Sequence, residues 1–414
     1  MMEFTAWQYL LIDAANNFGL DKLLFEERIQ WATENLSKLE ALIPEAKKKT
    51  RPLYIKAVMA IRKAQASIPT GHLVGFDAVC SGIQVMSAMT GCIAGATATG
   101  LVDPNVRADA YTACTKEMEH ILGDSLNISR DDAKDALMTS FYGSKKTPKD
   151  IFGEKTPELN AFYQAAFNIA PGAWELLQDL LASWQPYALQ HAWKLPDGFD
   201  ARVKVMQKKD ARIEVDELDH ATFTYEFYEN IGSKSGLSNV ANLTHSMDAY
   251  VLRTMHRRCN YDPQLVSYVD QCIDHELGLR NHQYKGTKEF NTSKLEYYIE
   301  QYNRSTLTDI TILPYLDQAT VSGLTIEHLQ KLSKIIKAML THRSFALVTV
   351  HDEFKAHANN MNRVRYWYKE ILAEIADSNV LDDLLSQIHG TPGTFKKLSS
   401  NLGDLIRQSN YGLS

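Results

Sequence analysis

Two aspartates stand where apolar runs end. Asp77 follows Leu73, Val74 and Phe76, and Asp352 follows the run from Phe345 to Val350. A carboxylate tied to a buried strand is costly unless a cation meets it. Brought together, two such acids would form an all-oxygen site for divalent metal. Two Mg²⁺ ions held between them would suit in-line attack at a phosphate. Taken singly, each acid also reads as a capped turn or a half-exposed partner, and spacing alone does not bring the two together.

A second pattern is helical. Arg130, Lys134, Met138 and Tyr142 recur every four residues, which keeps them on one slowly drifting helix face. Arg and Lys on that face could meet phosphates, with the Tyr ring at the helix end. An amphipathic helix with a solvated basic edge fits the same pattern. His245, Ser246 and Asp248 are expected near the start of a helix, where such side chains commonly cap. The basic tract at 204–212 and the run Lys47-Lys48-Lys49 read as solvated faces. There is no Walker-type loop and no dinucleotide fingerprint.

The elements around these residues read as mostly helical, with few short strands: an α+β class, mostly α. Residues 25–46 carry helical periodicity, and a further helix ends at Pro69 and Gly71. A strand over LVGFDAV should deliver Asp77, followed by one long uncharged helix through Val102. Helices are expected from Asp109 to Leu122, over 129–143 with Ser129 as cap and Gly143 closing it, and on both sides of Pro171-Gly172. Residues 201–230 alternate as a hairpin or small sheet. SFALVTVHDEFKAHA should form strand, turn and strand with His351-Asp352 at the turn. Residues 260–340 read as helical and charged, without chemistry.

Composition decides little. The 414-residue chain has a net charge of −6, which leaves room for a positive cleft. Five cysteines, an odd count without Cys-x-x-Cys, argue against a zinc site or disulfide framework. A reducing compartment fits, and the N-terminal residues do not resemble a signal peptide. The uncharged stretch Ala78–Val102 is long enough to span a membrane, but its Ser, Thr, Gly and Gln84 favour a core helix, and no membrane role is expected.

FDAVCSGIQVMSAM (76–89), RDDAKDALMTSFYGSK (130–145) and VHDEFKAHA (350–358) resemble, in order, motifs A, B and C of the single-subunit RNA polymerases of phages and mitochondria. ANLTHSMDAYVLR (241–253) is similar to the N-x-x-HS-x-D-x-x-x-LR segment between motifs B and C. Weaker likeness covers 13–35 and the C-terminal NLGDLIRQSNYGL. The resemblance implies a right-hand palm and fingers without the thumb or N-terminal domain. It divides the chain into a helical lead-in (1–70), palm with motif A (71–125), fingers (126–240), a palm helix (241–260), a helical insertion (261–340) and palm with motif C (341–414).

The resemblance also assigns roles. Asp77 and Asp352 would hold two Mg²⁺ ions, and Arg130 and Lys134 would grip the incoming triphosphate. Tyr142 would sense sugar and base, His245 would help select ribose, and Gly143 would let the template pair approach. Gln84 would contact substrate, with His351, Asp248 and Met138 in support. The partners implied are a DNA template, nascent RNA and rNTPs. The family's D-x-x-GR element is absent, since the sequence contains no Gly-Arg dipeptide. That departure resembles the split, two-subunit polymerases of Enquatrovirus-like phages. It implies a smaller subunit supplying the missing part, a single-stranded DNA-binding activator, and work in the cytoplasm of an infected bacterium. Glu353 after Asp352 matches family A DNA polymerases, so a DNA polymerase or primase is the enzyme alternative; a catalytically silent DNA-binding subunit is the other. Motif A here (DAVCSGIQ) and Met138 both favour the RNA polymerases.

Overall fold

In the computed structural model, residues 2–123, 128–232, 237–281, 293–393 and 395–414 are described. The first elements are α1 (Ala6–Ala15), α2 (Phe25–Glu34) and α3 (Arg51–Gln65), followed by β1 (Leu73–Asp77). Then come α4 (Ser81–Thr90), α5 (Ile93–Ala98), α6 (Ala110–Leu122), α7 (Arg130–Ser140), α8 (Lys146–Phe152), α9 (Pro157–Ile169) and α10 (Pro171–Ala182). Two hairpins follow: β2 (Gln190–Lys194) with β3 (Asp200–Lys204), and β4 (Gln207–Val215) with β5 (Ala221–Glu229). The remainder is α11 (Leu237–Cys259), α12 (Pro263–Asn281), α13 (Ser293–Ser305), α14 (Ile326–Leu340), β6 (Val348–Val350), β7 (Glu353–His357), α15 (Met361–Asp377), α16 (Val380–His389) and α17 (Leu402–Gln408). The chain is thus mostly helical with small sheets, as its patterning implies.

The central element is an antiparallel sheet in the order β1-β7-β6. Strand β1 buries Val74 and Phe76 while Asp77 emerges at its end, the alternation a half-buried strand requires. Gly75 faces the Glu353 carboxylate and the Lys355 stem so closely that any β-carbon there would collide with them. Helices α4, α11 and α15 pack on one another behind the sheet. Buried Phe76, Phe354, Trp367 and Tyr368 fill the core between them.

Three expectations need correction. The stretch 78–102 is not one helix but α4 and α5, broken at Gly91, which adopts φ 71°. A β-carbon on Gly91 would sit 2.8 Å from the Ser399 carbonyl, so the tail from 397 to 399 packs into the break. None of the described helices is long and apolar enough to cross a membrane. The helical pattern over 25–46 stops as α-helix at Glu34. There the Asn35 side chain donates to the Trp31 carbonyl (2.7 Å). Arg62 then clamps Glu40 and the Leu36 carbonyl, wrapping the following turns onto α3. The third concerns His245, Ser246 and Asp248. They lie well inside α11, which begins at Leu237, so they are not caps. Residues 260–340, read as helical, form α12, α13 and α14 with short 3₁₀ turns between the last two, and 282–292 lies outside the described residues.

Candidate active site

Strand pairing unites the two aspartates. Asp77 pairs with Glu353 across β1 and β7, and the Ala78 amide donates to the Asp352 carbonyl (3.2 Å). Val350 pairs with Glu353, so His351 and Asp352 form the two-residue turn between β6 and β7. That turn holds His351 at φ 55°, and Cys80, just past Asp77, sits at φ 59°. Non-glycine residues in this region cost on the order of 1–3 kcal/mol each and cluster at functional sites. Here two of them flank the two aspartates.

The charges are poorly compensated. Burial, then Glu353, then Asp352 push the Asp77 carboxyl up to about 6. Glu353 is itself held by Lys355 (2.9 Å). Asp248, reaching in from α11, is pushed up to about 7 by burial and by the Asp352 charge, against hydrogen bonds from Tyr142 and Ser81. A group of carboxylates that resists ionisation on its own is one a divalent cation would stabilise. The donor set is all oxygen, as Mg²⁺ prefers, so the residues fit that ion.

The helix carrying Arg130, Lys134 and Met138 is α7, capped by Ser129. Arg130 pairs with Asp109 (2.7 Å), the cap of α6, and lies 5.3 Å from the Tyr111 ring centre; Lys134 lies 5.9 Å from the same ring. Burial opposes ionisation of Asp109, but Arg130 and Lys22 hold it below the usual carboxylate range. Past the end of α7, Tyr142 stacks on His245 with ring centres 4.5 Å apart and planes at 18°. Its hydroxyl donates to Asp248 (3.1 Å). Gly82 permits this placement, since a β-carbon there would meet the Tyr142 hydroxyl at 2.9 Å.

Asp77, Asp352, Arg130, Lys134, Met138, Tyr142, His245, Asp248 and His351 line one cleft of about 1610 Å³. Gln84 and Gly143 do not line it. Gln84 is fully buried: its amide donates to the Thr99 and Gly412 carbonyls (both 2.9 Å), and its oxygen accepts from Tyr368 (2.5 Å). Nothing is left on Gln84 for a substrate; it ties α4 to α15 and to the C-terminal residues. Gly143 is buried at φ 92°, its amide donating to the Ser140 carbonyl (2.8 Å), and closes the turn after α7. Sequence reasoning missed Ser81, Tyr111 and Gly82, whose parts exist only in three dimensions. It also missed Ser414, whose amide donates to the Asp77 carbonyl (3.1 Å). Cys80 hydrogen-bonds Tyr111, and burial pushes its thiol up to about 11, so it is no nucleophile. A further group, Glu214, Asp216 and His220, sits exposed at the tip of the β4–β5 hairpin, outside the cleft.

Residues 2–149 match the family model described as DNA-dependent RNA polymerase. The match takes in Asp77, Arg130, Lys134 and Tyr142 and ends before His245 and Asp352. Among individual proteins, the chain is 30% identical over 165 residues to a probable DNA-directed RNA polymerase of Neurospora crassa, covering 35% of this chain and 18% of that protein. It is 27% identical over 169 residues to a DNA-directed RNA polymerase of Pseudomonas phage phiKMV, covering 33% of this chain and 21% of that one. The chain thus spans about a fifth of the length of these relatives.

Proposed function

We propose that this chain is the catalytic part of a DNA-directed RNA polymerase of the phage and mitochondrial type, with a palm that includes β1, β6, β7, α11 and α15 and fingers built on α7–α10 and the two hairpins. The observation that carries the reading is the meeting of Asp77 and Asp352 on one sheet, beside the Tyr142–His245–Asp248 group.

In this reading Asp77 and Asp352 would hold two Mg²⁺ ions, whose chemistry when bound would be to ease deprotonation of the RNA 3′-hydroxyl and to offset the negative charge of the leaving pyrophosphate. Lys134 and Arg130, one turn apart on α7, receive the triphosphate; a phosphate reaching Arg130 competes with Asp109 for the guanidinium. Tyr142 stacks on His245 and is aimed by Asp248, which fixes the direction of its hydroxyl proton. Ser81 also bonds the Tyr142 hydroxyl, which leaves one oxygen lone pair to accept from a ribose 2′-hydroxyl. A site built to hydrogen-bond a hydroxyl rejects the analogue that lacks it. His351 and Met138 shape the floor and edge of the cleft. We further propose that the chain works as the large subunit of a split enzyme in an infected bacterium. A smaller subunit would supply the D-x-x-GR element, and a single-stranded DNA-binding activator would assist.

The test is extension of an RNA primer on a DNA template with Mg²⁺ and rNTPs, with this chain alone and with a candidate small subunit. Extension only with the partner supports the split enzyme, and extension by the chain alone removes the need for one. Extension only with dNTPs would replace the reading with a DNA polymerase, and no extension in any arrangement would sink it.

A further inference from the structure

The run Lys47–Lys49, which the sequence presents as a solvated face, is exposed and borders the cleft. Lys47 and Lys49 line it together with Lys56 and Lys63 of α3. On α3 the lining residues Leu53, Lys56, Met59 and Lys63 fall on one helix face. Leu53 is 41% and Met59 57% exposed, and all four lysines are exposed. The segment presenting Lys47 and Lys49 is fixed in place. The Lys47 amide donates to the Phe18 carbonyl (3.0 Å), and the Thr50 hydroxyl to the Asn17 carbonyl (2.7 Å). Arg51 reaches back to the Pro44 carbonyl (2.8 Å).

The acids of the same wall are spent elsewhere. Asp13 is held by His72 (2.7 Å) and Asp21 by Lys22 (3.2 Å). Among the described residues no ion pair joins Lys47, Lys49, Lys56 or Lys63 to a carboxylate. Against burial, and behind Lys22, the Lys47 charge helps hold the Asp21 carboxyl low. A chain of net charge −6 still keeps Lys49, Lys56 and Lys63 outside any ion pair among the described residues, along one wall of the cleft that also contains Asp77 and Asp352. A protein-binding face is depleted in lysine, whereas a polyanion requires it. Lys56 and Lys63 stand two helical turns apart, about 10.5 Å, which matches about three nucleotides of rise along a duplex axis.

We propose that this lysine wall is a phosphodiester-binding track, carrying the nucleic acid strand that runs away from the catalytic acids; it rests on the polymerase reading above. The ligand chemistry is the sugar–phosphate backbone, with Leu53 and Met59 as apolar contacts between charges. No base would be read, so affinity should depend on salt and not on sequence.

The experiment measures fluorescence anisotropy of fluorescein-labelled single-stranded DNA and of a labelled RNA–DNA hybrid. It compares the intact chain with a triple variant (Lys49→Ala, Lys56→Ala, Lys63→Ala) and with the matching triple Lys→Arg variant. Three lost contacts flatten the log–log salt slope by about 2, at about 0.7 per contact on a single strand. Between about 50 and 200 mM salt, wild type should therefore lose about 20-fold more affinity than the Ala variant, and the Arg variant should behave as wild type. A slope change on the hybrid only assigns the track to the product duplex, and on single-stranded DNA only to the template. Wild-type binding with an unchanged slope in the Ala variant on both probes overturns the track and leaves the polymerase reading standing. Failure of the wild type to bind either probe overturns both.

Discussion

Replacing Asp248 with Asn should stabilise the folded chain above neutral pH and leave it unchanged in acid. The Asp248 carboxyl is lifted from 3.8 to about 7, chiefly by burial in α11 beside Asp352. Because the folded group binds its proton more tightly than the unfolded one, wild-type stability falls as pH rises from about 4 to about 7 and is flat above. The full cost of ionising it is about 4 kcal/mol, at 1.36 kcal/mol per pH unit. That is a ceiling, and water entering the cleft would bring it nearer about 2 kcal/mol. Asn keeps an oxygen to accept from the Tyr142 hydroxyl but carries no charge. For a chain this long, 1 kcal/mol moves the Tm by about 1 °C. The variant should therefore melt about 2–4 °C higher than wild type at pH 8 and within error of it at pH 4. Differential scanning calorimetry with divalent cations chelated reads both. An equal Tm difference at the two pH values would refute the argument, because it would mean that the carboxyl is not what the fold resists ionising.

Other outcomes follow from the same geometry. Asp77→Asn and Asp352→Asn should each abolish primer extension while leaving the far-UV circular dichroism spectrum intact; normal synthesis by either removes the two-metal assignment. Tyr142→Phe loses one hydrogen bond worth about 1 kcal/mol, so steady-state discrimination between rNTP and dNTP should fall about fivefold, and an unchanged ratio would count against its role in sugar selection. Glu374→Gln leaves the fully buried Arg258 guanidinium, now bonded at 2.5 and 2.9 Å to Glu374 and stacked on Trp367, without its counter-charge. A loss of about 3–5 kcal/mol should lower the Tm by a similar number of degrees, read by calorimetry at neutral pH.

Much of the site was legible because its residues sit where local patterns break. Asp77 and Asp352 stand out as acids on apolar strands, and the strand, turn and strand around His351 follows from alternation alone. The Arg130–Met138 spacing is a helix face in the sequence and in α7, whereas the helix expected over 129–143 ends at Ser140 and leaves Tyr142 in the turn beyond it. What pattern reading misses is decided by other parts of the chain. Gln84 looks polar and available, yet Thr99, Gly412 and Tyr368 consume it. Gly91 breaks an uncharged helix because the tail near Ser399 needs the space. Lys47 and Lys49 are exposed, as the run implies, but that they border the cleft depends on their anchoring to the Asn17–Phe18 segment. The β4–β5 hairpin was visible from alternation, but not that both its faces would stand largely exposed.

The pairing of β1 with β7 also sets when the two aspartates can meet during synthesis. Asp77 is translated well before its neighbours, which are Glu353 on one side and, through the Ala78–Leu413 bridge and the Ser414 amide, Leu413 and Ser414 on the other. Near the N-terminus, the Phe4 amide waits for Asn362. At about 5–20 residues per second, a ribosome would have made the Asp77 strand many seconds before any of these partners emerged. Until then an acid-tipped strand edge stands open, and the nascent chain needs cover for it. Under the proposed polymerase reading, recovery of primer extension on refolding should accordingly trail the helical signal, because loops spanning most of the chain must close before the two aspartates share a site.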